Sequence, residues 1–239
     1  MEDGRYPDLH VIPQILRDVP LATFYLAADP SVASLLPDGL SLAPDGRIVL
    51  NMWSHSDARE TTGFGGLGAM GIAYFAVEVA GEGGATTDGK TKFPARCWMQ
   101  HWSNYAPARA YAAKASGLII LPGQPNVTIV GDRLTGSLEL EGRKVISASA
   151  TVGSERLGVQ SGFSVYHAQR VGQDGSAEVA RYDVPWVGDS YSAENPAVTL
   201  SFGVEDHPAY ALFGGRAPTV LGVTFRRMTL VPYLASAAR

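Results

Sequence analysis

Residues 116–153 read SGLIILPGQPNVTIVGDRLTGSLELEGRKVISASATVG. A Gly/Pro turn at 122–125 is followed by three short segments of strand character, at 126–130, 134–140 and 144–152. Gly131-Asp132 and Glu141-Gly142 separate them, and these are the residue types that two-residue hairpin turns use. The stretch is read as two successive β-hairpins.

The same rhythm recurs along the chain. Strand patterns are expected at 20–27, 47–54, 71–80, 93–105, 162–170, 176–184, 195–203 and 219–231. Residues 29–36 predict a short helix, with Asp29 as cap, Pro30 in the first turn, and Val32, Leu35 and Leu36 on one face. Residues 107–116 predict an alanine-rich helix, with a proline at its start and Gly117 just past its end. A third short helix is expected at 206–213, and loops at 56–71 and 81–92. The fold class that follows is α+β, mostly antiparallel β with a few short helices. No internal repeat or linker is visible, so residues 1–239 are expected to form one domain.

Composition narrows the function classes. The net charge is −4 with both signs scattered, which argues against a nucleic-acid groove and gives a poor surface for anionic membranes. No window approaches the ~20 apolar residues of a membrane span. The opening MEDGRYPDLH is acidic and lacks an apolar run, so a signal peptide is not expected and a cytoplasmic location is. Cys97 is the single cysteine, which leaves no internal disulfide and no thiolate zinc site. Its expected role is core packing. None of the histidines sits at metal-ligand spacing from another ligand type, so no metal and no cofactor are expected.

The segment GDRLTGSLELEGRKVISASATVG resembles the acetoacetate decarboxylase superfamily. DPSVASLLPDGL is similar to the family's helix running into a proline-bearing turn. PARAYAAKASG is similar to the helix that leads to its catalytic turn. The likeness covers about residues 20–153. It implies a strongly bent antiparallel sheet closing into a barrel or cone around an apolar central cavity. It also implies symmetric oligomers, here a homo-oligomer. In the family, paired lysines follow that helix. One attacks a substrate ketone to form a Schiff base, and the other lowers its neighbour's pKa. The matching positions here are Ile120 and Leu121, and neither forms an imine. The family's glutamates fall at Leu50 or Asn51 and near Gly66 or Leu67, and its N-terminal arginine has only Arg17 nearby. The resemblance therefore argues for the scaffold and against the parent reaction.

Two strands offer other chemistry. In residues 48–55, alternation puts Val49, Asn51, Trp53 and His55 on one face, suited to an apolar wall with a few donors. The alternative is that Asn51 and His55 end the strand in water. In residues 96–102, Arg96, Trp98, Gln100 and Trp102 share one face, and Cys97, Met99 and His101 the other. Both sets line one cavity only if a bulge intervenes. The bland alternatives are aromatic packing for the tryptophans and a buried neutral His101. His55 and His101 are the expected acid/base groups, because imidazole trades protons near neutral pH. Asn51 or Gln100 would hold a carbonyl or enolate oxygen. Trp53, Trp98, Gln100, Trp102, Ile120 and Leu121 are the expected substrate wall. Glu78 is a further candidate, although a place facing solvent on the outer side of the sheet is the stronger expectation. The glycine run at 63–71 precedes a strand rather than a helix, so it reads as a flap beside the cavity and not as a dinucleotide fingerprint.

Three functions follow. The first is a small-molecule enzyme without a Schiff base, a lyase, cyclase or isomerase, acting on an apolar carbonyl compound of polyketide-like or aromatic type. The second is a non-catalytic carrier, with a wall of Ile120, Leu121, Trp and Met and both histidines outside. The third is a Schiff-base lyase with its amine relocated to Lys114, whose bland role is to face helix-end carbonyls.

Overall fold

The computed structural model describes residues 16–55, 69–153, 155–171, 175–191, 198–203 and 208–230. Thirteen strands and one α-helix follow in order: β1 Leu16–Ala27, β2 Arg47–His55, β3 Met70–Val79, β4 Ala85–Thr86, β5 Ala95–Ser103, α1 Ala106–Ser116, β6 Leu121–Pro122, β7 Gln124–Val130, β8 Arg133–Leu140, β9 Arg143–Thr151, β10 Arg156–Val171, β11 Ala177–Tyr191, β12 Thr199–Phe202 and β13 Val220–Leu230. The described residues also include two 3-10 helices, Pro30–Leu35 and Pro208–Phe213.

The larger sheet runs β4-β10-β11-β13-β1-β2-β3-β5-β6. It bends until β5 meets β10, which closes a seven-stranded barrel. That closing pair is parallel and has two rungs, Tyr166 opposite Arg96 and His167 opposite Cys97. The barrel strands on either side of the seam pair antiparallel, as expected. The smaller sheet, β12-β9-β8-β7, contains the two hairpins that residues 116–153 predict. Their turns use positive φ at Gly131 (62°), Glu141 (51°) and Gly142 (74°). The last two are consecutive, which fits a two-residue turn with the twist of its strands.

Alternation assigns the two faces of each barrel strand. Ala22, Phe24 and Leu26 of β1, Leu50 and Met52 of β2, and Ala73, Phe75 and Val77 of β3 point away from the barrel axis. They pack on Leu134, Leu138, Ile146 and Ala148 of the smaller sheet. Ser54 ties the layers together, donating to the Val127 carbonyl at 3.0 Å and accepting from the Val127 amide at 2.8 Å. Ile146 is fully buried in this layer. Ile146→Val is expected to lower stability by about 0.5–1.5 kcal/mol, read as a fall in urea midpoint at constant slope.

Helix α1 ends at Gly117 with φ 67°, a left-handed cap that its sequence foreshadows. Asp29 caps the first 3-10 helix, accepting from the Ser31 amide at 2.9 Å. The hairpin of β10 and β11 extends beyond both of its expected segments, and its long arms build the wall that closes the barrel. The glycine run at 63–71 lies mostly outside the described residues.

Candidate active site

The inward face of the barrel is aromatic and polar. Thr23 of β1, Asn51 of β2, Tyr74 and Glu78 of β3, and Tyr166 and Tyr182 of β10 and β11 all point there. Thr23 donates to Asn51 Oδ1 at 2.5 Å, and Asn51 Nδ2 donates to Tyr74 Oη at 2.8 Å. The Tyr74 and Tyr166 hydroxyls share a hydrogen bond at 2.9 Å. Burial, and then the neighbouring Tyr166, push the Tyr74 phenol well above its ordinary pKa, so it stays protonated.

β5 contributes the groups that the sequence could not place. Trp98 pairs with Ala76 and Gln100 with Phe75, so Met99 is an extra residue bulged out of the ladder. The bulge resets the alternation. Arg96, Trp98, His101 and Ser103 all face inward, opposite Glu78, Ala76, Tyr74 and Ile72. Trp98 stacks on Tyr166 with ring centroids 4.4 Å apart and planes 14° apart. The His101 ring lies 5.2 Å from Tyr74 and 5.8 Å from Trp98.

His101 is 8% exposed, and neither ring nitrogen has a hydrogen-bond partner. Burial without a charge partner lowers its pKa to about 3, so the imidazole is neutral. Trp98 Nε1 and Arg96 Nε are likewise buried without a partner. A buried polar group left unmatched costs about 1–3 kcal/mol. Three such groups along one face of one strand mark a place where a ligand or water completes the bonding.

The remaining sequence candidates are distributed as follows. Ile120 packs against the same inward cluster, which includes Leu118, Tyr166 and Tyr182 and against which Tyr74 and Trp98 also pack. Leu121 pairs with Trp102 in β6 and is 45% exposed. Trp102 faces the layer between the sheets, edge-on to Phe75. Gln100 lies opposite Phe75, on that same side of β5 and away from His101, and its buried Oε1 has no partner. Trp53 is buried inside the barrel with Val19, Met70, Trp186 and Met228, in a cluster separate from Trp98. His55 ends β2 on the Trp53 face, half-buried, with Nδ1 unpartnered. The structure thus gathers Asn51, Trp98, His101 and Ile120 and sets Gln100, Trp102 and Leu121 apart. The Lys114 side chain lies outside the described residues.

Glu78 does not face solvent. It is 2% exposed inside the barrel, because β3 alternates Ile72, Tyr74, Ala76 and Glu78 inward. Arg47 Nε and Nη2 donate to its two oxygens at 2.9 Å each, and Arg96 Nη2 stands 3.8 Å away. Cys97 lies on the opposite face of β5 with Val79 and Val165, and burial pushes its thiol up to about 12. No cluster of three metal-ligating side chains occurs among the described residues. No helix among them is long and apolar enough to cross a membrane.

No family model and no curated protein matches the sequence. Solved structures do. Acetoacetate decarboxylase from Legionella pneumophila superposes with a TM-score of 0.65 at 14% identity, over 95% of this chain and 88% of that one. The enduracididine biosynthesis enzyme MppR, complexed with pyruvate, gives 0.54 at 16% identity, over 91% and 88%. An acetoacetate decarboxylase-like enzyme from Sphingomonas wittichii gives 0.53 at 14%, over 88% of each chain. At such identities the likeness concerns the fold. The closed barrel, the flanking sheet and the helix leading to Ile120 are therefore the acetoacetate decarboxylase-like α+β fold.

Proposed function

We propose that this chain is a small-molecule enzyme that moves a proton next to a carbonyl group without forming a Schiff base. The fold is one that enzymes of small carbonyl chemistry use, and MppR is solved with pyruvate. The observation that carries the proposal is His101, buried, neutral, and unbonded at both nitrogens beside Tyr74 and Trp98. A neutral imidazole accepts a proton from the carbon beside a carbonyl. The charge it gains is offset by the negative charge developing on the carbonyl oxygen. The protonated Tyr74 hydroxyl and the free Trp98 N–H are the donors within the same cluster for that oxygen. Asn51, bonded to both Thr23 and Tyr74, holds the phenol in place. Trp98, Tyr166 and Tyr182 give a flat apolar wall, which suits an aromatic or polyketide-like body. A lyase, cyclase or isomerase step would begin with this proton transfer. The inward place of His101 favours this reading over a carrier whose histidines lie outside.

The test is solvent deuterium exchange at C3 of phenylpyruvate, the methylene beside its ketone, followed by NMR, with borohydride trapping in parallel. The expected result is enzyme-dependent exchange with no reduced adduct on Lys90, Lys92, Lys114 or Lys144. An adduct on Lys114 would replace this reading with the relocated amine, and no exchange above background would remove it.

The proposed partner besides the ligand is a second copy of the chain. Leu157, Val159 and Phe163 are exposed at alternate positions of β10, an apolar row of the kind that subunit contacts cover. Light scattering is expected to give a multiple of the monomer mass, and Val159→Glu to reduce it.

A further inference from the structure

Among the described side chains, three arginines face the barrel interior, Arg47, Arg96 and Arg226, against one carboxylate, Glu78, which pairs with the first two. Arg47 sits at the rim with its side chain 40% exposed and takes both Glu78 oxygens at 2.9 Å. Arg96 is left with a 3.8 Å approach to the same group and an unpartnered Nε at 7% exposure. Arg226 has no carboxylate bonded to it among the described contacts. Its Nε donates to Ser190 Oγ at 3.2 Å, Ser190 donates to Gln160 Oε1 at 3.1 Å, and its guanidinium lies 4.8 Å over the Trp186 ring. Burial holds the Arg226 pKa below its ordinary value, and the nearby Arg96 charge acts in the same direction. A desolvated cation short of counter-charge is costly; Arg96 shares its carboxylate with Arg47, and the half-buried Arg226 has none among the described contacts.

We propose that Arg96 and Arg226 form a carboxylate-binding subsite inside the barrel, which takes the anionic group of an aryl or similarly flat ligand. The planar guanidinium suits this task, since its N–H groups match the two oxygens of a carboxylate. Trp98, stacked on Tyr166, and Trp186, beneath Arg226, supply flat apolar surface beside the two cations. Arg96 precedes His101 on the same inward face of β5, so a ligand anchored at its carboxylate would extend toward the imidazole. The subsite deepens the reading of the barrel as the reaction chamber and rests on it.

Binding without turnover tests the subsite separately from the chemistry. Phenylacetate carries the anion and ring but no ketone, and phenylacetamide is its neutral counterpart. Tryptophan fluorescence and thermal unfolding of the full chain read both. The expected result is that phenylacetate binds at least tenfold more tightly than the amide. Arg96→Met and Arg226→Met, each checked by circular dichroism, should abolish that preference. Arg96→Lys keeps the charge and should retain part of it, which controls for misfolding of the methionine variant. Equal binding of acid and amide, no binding of either, or an intact preference in both folded methionine variants would overturn the subsite. His101→Asn should still bind phenylacetate. If arginine-dependent binding occurs but phenylpyruvate exchange fails, proton transfer falls and the subsite stands. The converse pattern removes the subsite alone.

Discussion

His101→Asn is expected to slow exchange of the C3 protons of phenylpyruvate by ~10²–10⁴, the usual worth of a positioned acid/base group. Among the described side chains of the Tyr74–Trp98 cluster, the imidazole is the one titratable group that can take a proton without first losing one. Asparagine is close in size and keeps an N–H, so the aromatic packing should survive. The same variant has a second signature in stability. In the native state burial lowers the His101 pKa to about 3, against an ordinary 6.5. Its folded value is thus depressed, and the unfolded chain binds the extra proton between those two values. Stability is fully present above about pH 6.5 and is lost as pH falls toward 3, with a slope approaching ~1.4 kcal/mol per pH unit from this group. His101→Asn should flatten that part of the urea-midpoint profile. An unchanged exchange rate would assign proton transfer to another group, and an unchanged profile would show that water reaches the ring.

Glu78→Gln should cost about 3–5 kcal/mol of folding stability, although the change removes one charge and almost no volume. Arg47 is partly exposed and regains water. Arg96 is buried, and with Glu78 neutral no carboxylate remains close to it among the described contacts. Urea unfolding measures the loss. Joining Glu78→Gln to Arg96→Met should restore part of it, because the stranded cation is then absent. A loss below about 1 kcal/mol for the single variant would mean that the ion pair is effectively solvated.

Much of the scaffold was legible from local chemistry. Turn residues at 131–132 and 141–142, the glycine after α1 and the aspartate before the first 3-10 helix each act within a few residues of themselves. Sequence can report such features directly. The face of β2 was legible too, because its alternation is unbroken: Asn51 and Trp53 point inward together. β5 was not. One bulged residue, Met99, turns His101 onto the Trp98 face and Gln100 and Trp102 off it. Alternation carries no mark of such an insertion unless the partner strand is known. Tyr74, and the inward place of Glu78, follow from extending the same periodicity along β3. The pairing of Tyr74 with Tyr166 spans 92 residues, and only the closed barrel creates it. Arg226 was hidden for the same reason, since its neighbours come from β10 and β11.

The parallel junction between β5 and β10 has one more consequence. It is two rungs long, while its antiparallel neighbours run for many more. Such a short zipper is the first place where the cylinder can part, and amide hydrogens around Arg96 and Tyr166 should trade with deuterated solvent ahead of those in β1 and β2. Those two residues carry a guanidinium and a phenol of the proposed chamber. A guest grasped by Arg96 while resting on Tyr166 would lace the split shut, so occupancy and closure would rise and fall together.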